Sequence, residues 1–337
     1  MSIVSGYAQQ PGQFKINEDQ PMISRRDYLK YSMLAGAAIM APGSLLRALE
    51  GQSLIKRAIP KTGEELPIVG LGSSATFRST AEDGKTSELR AVIKTLLDNG
   101  GSVIDTAPGY GESEEVAGEI VERLGATDDV FWATKVNVAG RGNGTADPAK
   151  ARAQLEQSFD HIDKDPIDLI QVHNLGDIPV QMGLLKELKQ EGRVRYIGVT
   201  YTGASRYADL ARVMKDEPVD FIGVDYAVDN RDSARDIFPV ARDQGIGVFV
   251  YAPFGRTRLW NRVGDRPIPD WAKEIGIDSW AQFFIKFAAA HPDVTVVTPA
   301  TSKPHHMLDN LGGGVGELPD KALQKRMTEF VDALPSA

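Results

Sequence analysis

The 337-residue chain contains no cysteine. Thiol catalysis, thiolate zinc sites, iron–sulfur clusters and lipids carried on Cys are thereby excluded, while the redox compartment stays open. Positive charge is not in excess: 38 Lys and Arg stand against 46 Asp and Glu, a formal net charge of -8. That balance offers a polyanion no electrostatic footprint, and no nucleic-acid partner is expected. No apolar run reaches the roughly 18 residues of a membrane span, so no stable span is expected. What is left, 42% hydrophobic and 25% charged residues, is the composition of a soluble globular protein. No metal site is expected.

The first fifty residues read differently from the rest. Residues 1–23 are polar; Ser24-Arg25-Arg26-Asp27-Tyr28-Leu29-Lys30 follows, then a short apolar run over 33–41 closed by Pro42 and Gly43. A charged pair, a weakly apolar core and helix breakers have the layout of an export signal. The seven-residue motif resembles the twin-arginine signal S-R-R-x-F-L-K, with Tyr28 where Phe is usual. No A-x-A site follows, so cleavage is expected somewhere between residues 41 and 52. The reading is a signal and linker over 1–52 and a folded body over 53–337, exported by the twin-arginine machinery to the periplasm. The alternative is a surface amphipathic helix on a cytoplasmic protein.

From residue 66 onward, short β-branched runs alternate with amphipathic stretches, the pattern of parallel strands joined by crossover helices. Strands are expected at 66–71, 102–105, 130–134, 169–172, 194–199, 221–224, 247–251 and 294–297. Helical patterns fall between them, at 114–124, 148–162, 181–190, 204–214, 234–243 and 279–290. Eight such units without a composition break predict an α/β fold, a (β/α)8 TIM barrel. Two additions are expected: a long loop over 253–277 after the seventh strand, and a C-terminal helix over 321–334. Gly70-x-Gly72-x-x-Ala75 looks like a dinucleotide fingerprint, but no helix is expected at 77–80, and the doubly wound reading is set aside.

In a barrel the chemistry sits at the C-terminal strand ends. Asp105, Tyr110, Lys135 and His173 all fall there, after three successive strands. A phenol with a pKa of about 10 is a weak acid, and a nearby ammonium lowers that value by stabilising the phenolate. Lys135 would supply that charge, and a carboxylate at Asp105 would hold the lysine protonated. His173 would orient a carbonyl and donate to its oxygen. No residue here is an electron source, so a reduction would need a borrowed hydride. Singly, each side chain has a plainer role available, as a cap, a structural ion pair, a loop tyrosine or a barrel-end histidine. Their shared position favours function.

Five blocks carry a family resemblance: VIDTAPGYG at 103–111, WATK at 132–135, DLIQVH at 168–173, GRVRYIGV at 192–199 and TPATSKP at 298–304. In this order, over about residues 55–335, they resemble the signature blocks of aldo-keto reductases. The resemblance implies a (β/α)8 barrel, NADP or alternatively NAD as hydride carrier, and Asp105, Lys135, Tyr110 and His173 as catalytic residues, with Tyr110 the general acid. It also implies cofactor contacts. Thr200 stands where the family has Ser of a Ser-Asn pair, followed here by Tyr201, and Gly223 stands where Gln is usual. Tyr226 is expected to stack on the nicotinamide. Pro253, Phe254, Gly255, Arg256 and Arg258 match the segment strapped over the pyrophosphate. Thr301, Ser302, Lys303 and His306 match the 2'-phosphate end, and Asp309 and Asn310 the adenine. His306 replaces an Arg common in NADP-dependent members, which weakens charge-based choice of NADP.

Loop position places Phe77, Trp132, Asn174 and Trp260 around a small carbonyl or alcohol substrate. The leading expectation is an oxidoreductase moving a hydride between NAD(P)H and such a substrate. Two others stand beside it: a lyase using Lys135 as a Schiff-base nucleophile, and an exported, cofactor-free binding protein on the same barrel.

Overall fold

The protein is represented by a computed structural model that describes residues 53–140 and 144–335. The export-signal motif and cleavage region lie outside the described residues.

Among the described residues there are ten strands. β1 (Lys56–Ala58) and β2 (Glu65–Pro67) form an antiparallel hairpin. The other eight are β3 (Leu71–Gly72), β4 (Val103–Asp105), β5 (Phe131–Val136), β6 (Ile167–Val172), β7 (Val194–Thr200), β8 (Phe221–Asp225), β9 (Gly247–Tyr251) and β10 (Val296–Val297). They lie parallel in sequence order. The two ends of the sheet meet where Val69 bridges Val297 and Gly72 bridges Ala300. Gly70 N–H donates to Val297 O at 2.9 Å and Gly72 N–H to Pro299 O at 3.0 Å. This closes the expected (β/α)8 barrel, and G-x-G belongs to the closing edge. A short helix, Thr76–Glu82, does begin after it, contrary to expectation, but the sequential parallel order is that of a barrel and not of a doubly wound sheet.

Strand alternation decides what faces inward. Phe131, Tyr196, Phe221 and Phe249 meet inside the barrel, with ring centroids 5.3 Å apart for Phe221 and Phe249 and 5.5 Å for Tyr196 and Phe221. Ile59 and Leu66, from the turn and second strand of the hairpin, join this cluster. The hairpin was not foreseen, because 56–58 is Lys-Arg-Ala and carries no strand pattern. The interior below the strand ends is therefore filled with side chains, as in barrels generally.

The outer faces of the strands pack under helices. Helix Pro148–Ile162 has its expected bounds: Asp147 accepts the Ala149 and Lys150 N–H groups, Pro148 opens the first turn, and Ala151, Leu155, Phe159 and Ile162 are buried. The single helix expected over 234–243 is two, Asp232–Asp236 and Phe238–Asp243. Pro239 has no N–H to continue the first one's hydrogen bonds. The long connection holds the short helices Arg258–Val263 and Asp270–Lys273, and the chain's last described helix is Lys321–Asp332.

Helix Ser113–Arg123 crosses close to helix Pro148–Ile162 because Gly118 has no side chain: a Cβ there would overlap the His161 carbonyl oxygen. Next to the crossing, the buried Glu114 carboxylate accepts the Thr134 hydroxyl of β5 and the Ser158 hydroxyl at 2.9 Å. Alanine is the better helix former by about 1 kcal/mol, so Gly118→Ala would stabilise an isolated helix. In the folded protein overpacking, costing about 1–3 kcal/mol, wins. Thermal denaturation of Gly118→Ala should show a melting temperature lower by about 2–4 °C; an unchanged or higher value would contradict this crossing.

Candidate active site

The lumen-facing residues of β5 are Phe131, Ala133 and Lys135, while Trp132, Thr134 and Val136 turn to the helices. Alternation thus sends the last lumen residue of β5, a lysine, into the top of a barrel whose floor is aromatic. Neighbouring β4 ends on Asp105, which faces it. Lys135 Nζ donates to both Asp105 oxygens, at 3.0 and 2.9 Å, and to Thr106 O at 2.7 Å. Lys135 is wholly buried and Asp105 nearly so. All three ammonium hydrogens have acceptors.

Two rings complete the group. Lys135 Nζ lies 5.1 Å from the centroid of Tyr110, and the Tyr110 and His173 rings meet edge to face with centroids 6.1 Å apart. The structure thus brings together the four residues expected at the strand ends. Burial works against the Lys135 charge, but Asp105 and Tyr110 outweigh it and hold the ammonium's pKa above the ordinary lysine value. Burial likewise pushes up the Asp105 carboxyl, against the pull of Lys135. For Tyr110 the outcome differs from the expectation. Burial raises its phenol above the usual value, and Lys135 and Arg256 offset this only in part. Tyr110 is therefore a hydroxyl, able to donate a proton, throughout the neutral range.

The residues expected to hold a cofactor divide into three groups. Thr200 ends β7 beside Gly223 of β8, and its Oγ1 accepts the Asn174 N–H at 3.2 Å, leaving its own hydrogen to donate. In the loop after β9, Ala252, Gly255 and Arg256 all have left-handed φ, between 51° and 62°. Pro253 and Gly255 are buried and Arg256 is exposed, with its charge acting on Tyr110. Arg258 is committed elsewhere: it makes a two-bond pair with Asp229, at 2.7 and 2.9 Å, tying this loop to the one after β8. At the far end, Thr301 Oγ1 accepts the Lys303 N–H at 3.1 Å and so opens helix Pro304–Gly312. Lys303 and His306 are exposed there and Ser302 is half-buried, a set of donors with one cation, Lys303, that suits a phosphate. Partial burial, His305 and Lys303 push the His306 imidazole below its ordinary value. Asp309 Oδ1 accepts from Ser279 Oγ and Gln282 Nε2, both at 2.8 Å, and Asn310 is buried, so both anchor helix Trp280–Ala289 or the core beside it.

Three expectations of position are corrected. Tyr226 is 3% exposed and lies outside the sheet against Phe238, Phe287 and His291. It follows Asp225 by one residue, so alternation turns it away from the lumen, where no nicotinamide would lie. Trp132 is fully buried on the helix side of β5, and Phe77 is fully buried against the same outer core. Neither can touch a substrate. Asn174 remains at the end of β6, nearly buried, and Trp260 is exposed beside Phe254 and Phe284, with centroids 5.2 and 5.6 Å away.

The lumen also contains two polar residues that sequence reasoning did not single out, Gln171 and Tyr251. The Tyr251 hydroxyl is 3.0 Å from Asp105 Oδ1 and 2.9 Å from the Gln171 amide. The signal was available: Gln171 precedes His173 by two residues, so it shares the inward face. The Schiff-base expectation for Lys135 fails on geometry, because a nucleophilic amine needs a free lone pair and this nitrogen donates three bonds.

Comparison with known proteins agrees with this geometry. The family model described as "Aldo/keto reductase family" matches residues 69–326. Aldo-keto reductase YhdN of Bacillus subtilis (strain 168) is 31% identical over 216 residues, which span 61% of this chain and 64% of that protein, just under two thirds of its length. Among solved structures, an aldo-keto reductase from Klebsiella pneumoniae in complex with NADPH aligns with a TM-score of 0.67 at 22% identity, over 82% of this chain and 96% of that one. An aldo-keto reductase from Bacillus halodurans in its holo form aligns with a TM-score of 0.65 at 22% identity, over 84% and 97%. By its match to the family model over most of its length, the chain belongs to the aldo/keto reductase family.

Proposed function

We propose that the protein is an NADP-dependent oxidoreductase that interconverts a small carbonyl compound and its alcohol. The observation that carries this reading is the Lys135 ammonium, held by Asp105 on one side and facing the Tyr110 ring on the other. In the reducing direction the Tyr110 hydroxyl gives its proton to the carbonyl oxygen as negative charge develops there. The phenolate left behind is stabilised by Lys135, whose own proton Asp105 secures. His173, edge to face with Tyr110, orients the carbonyl. The nicotinamide cofactor supplies the hydride when bound. Thr200 and the loop 252–256 would hold its nicotinamide and pyrophosphate, and Ser302, Lys303 and His306 its 2'-phosphate. The solved Klebsiella pneumoniae relative with NADPH supports the choice of cofactor.

The twin-arginine motif supports export of the folded enzyme to the periplasm, with a cofactor bound before export travelling inside it. Lysine substitution of both Arg25 and Arg26 should then keep the protein in the cytoplasm, as read by fractionation; undiminished periplasmic protein would refute the export reading.

Tyr110→Phe should keep NADPH affinity within about twofold and lose carbonyl reduction by about a thousandfold, because general acid catalysis is worth about 10²–10⁴. Fluorescence titration and steady-state rates on an aldehyde panel measure both; full turnover in the variant would overturn the role of Tyr110. At the 2'-phosphate end, neutral His306 leaves the charge to Lys303. His306→Arg adds a permanent cation able to pair two phosphate oxygens, and the ratio of NADH to NADPH dissociation constants should rise about tenfold. An unchanged ratio would remove His306 from the phosphate site.

A further inference from the structure

Immediately after His173 the chain passes through a strained turn. Asn174, Leu175 and Asp177 have left-handed φ angles of 57°, 55° and 34°. None of them is glycine, and the one glycine in the stretch, Gly176, has an ordinary φ of -75°. Its missing side chain serves a close approach instead: a Cβ there would lie 3.1 Å from the Gly140 carbonyl oxygen and 3.2 Å from the Ala139 side chain. Asn and Asp tolerate the left-handed region because their short polar side chains can bond the local backbone, whereas a leucine there is strained.

Strain of this kind persists only where the surroundings impose it, and here they do. Leu175 is 3% exposed and packs in the outer core. The Asn174 N–H donates to Thr200 Oγ1 of β7 at 3.2 Å, and the Gly176 N–H donates to the His173 carbonyl at 3.2 Å. Gln181, fully buried in helix Ile178–Gln190, donates to the Gly176 carbonyl and accepts the Val138 N–H at 3.0 Å. Asp177 Oδ2 accepts the Ala146 N–H at 2.8 Å. The turn is thus fastened to β7, to the helix that follows it and to the loop after β5.

We infer that this left-handed turn fixes the His173 ring against Tyr110, and that Leu175, which anchors the turn, is a positioning residue of the active site. Alternation turns Leu169 and Gln171 of β6 into the lumen, and His173 continues that face. His173 is the first residue beyond the strand, so its backbone is held by β6 on one side and by the turn on the other. Its ring meets Tyr110 edge to face with centroids 6.1 Å apart. A right-handed or extended residue at 175 would redirect the chain, pull the leucine from the outer core and carry His173 away from the phenol. This role deepens the proposed reductase chemistry and rests on it.

The test compares Leu175→Ile, Leu175→Gly and Leu175→Ala in the full-length protein. Isoleucine keeps the volume and apolarity, a change that an ordinary core position tolerates, but its branched Cβ rejects left-handed φ. Glycine loses the side chain and accepts that φ freely. Leu175→Ile should lower kcat on an aldehyde panel about tenfold, with NADPH affinity within about twofold, because a small misplacement of an orienting group is costly. Leu175→Gly should stay within about threefold of the unaltered kcat and melt about 2–4 °C above Leu175→Ala, the reverse of their order at an ordinary φ. The His173 ring resonances, identified among the five histidines by their loss in His173→Asn, should move in Leu175→Ile and stay in place in Leu175→Gly.

A kcat in Leu175→Ile equal to or above that of Leu175→Gly would overturn the inference, since apolar packing alone would then explain the leucine. So would a melting temperature of Leu175→Ala above that of Leu175→Gly, which would mean that the turn is not held left-handed. If the unaltered protein reduces no carbonyl with NADPH, the proposed reaction fails by itself. Unmoved His173 resonances in Leu175→Ile would show, without any turnover, that the turn does not place the ring.

Discussion

The site is built around one buried ion pair, Lys135 with Asp105, set in a lumen that water barely reaches. Taking two charges out of water costs several kcal/mol per ion, and their attraction repays it only with good geometry and additional hydrogen bonds. The barrel supplies both. Parallel register sets the ends of β4 and β5 side by side, two acceptor oxygens meet the ammonium, and the Thr106 carbonyl takes its third hydrogen. Removing either partner would leave the other charge buried and alone. The parallel register of β4 with β5 is thus the constraint on which this pair depends.

The same burial governs the phenol. Burial raises the Tyr110 phenol above its ordinary value, Lys135 offsetting this only in part, so the hydroxyl keeps its proton at neutral pH. Lys135 then matters at the moment the proton leaves, when negative charge appears on the phenol oxygen in a low-dielectric setting. Two effects have opposite signs here, the charge effect expected from the sequence, which lowers the phenol's pKa, and burial, which raises it. Only the three-dimensional placement says which is larger.

Much of this was legible in the chain. The eight-unit alternation gave the barrel, and chemistry-bearing residues at successive strand ends gave Asp105, Tyr110, Lys135 and His173. Trp132 was assigned by nearness in sequence to a strand end and Tyr226 by the resemblance, although side chains alternate with a period of two along a strand, while Phe77 falls in a helix that was not expected. Counting back from Lys135 puts Trp132 on the outer face, and counting on from Gly223 does the same for Tyr226. Counting also finds Gln171. Other features were beyond such reasoning: the hairpin at 56–67 depends on docking under the aromatic floor, and the Arg258–Asp229 pair joins two loops far apart in sequence.

The remaining alternative, a binding protein that merely contains these residues, can be weighed by energetics. A buried ion pair can often be replaced by well-packed apolar side chains with no loss of stability, or with a gain. A barrel floor of Phe131, Phe221 and Phe249 shows that this chain fills its lumen with apolar rings where packing is the only demand. Higher in the lumen, β4, β5, β6 and β9 place Asp105, Lys135, Gln171 and Tyr251. Stability alone does not account for that change from apolar to polar and ionic side chains along the lumen. A site that must stabilise developing charge does, because charge stabilisation needs fixed partners in a dry setting. The departures at Tyr201 and Gly223 fit the same account. Gly223 leaves space that the Tyr251 ring occupies, and Thr200 keeps a hydroxyl whose oxygen accepts the Asn174 N–H.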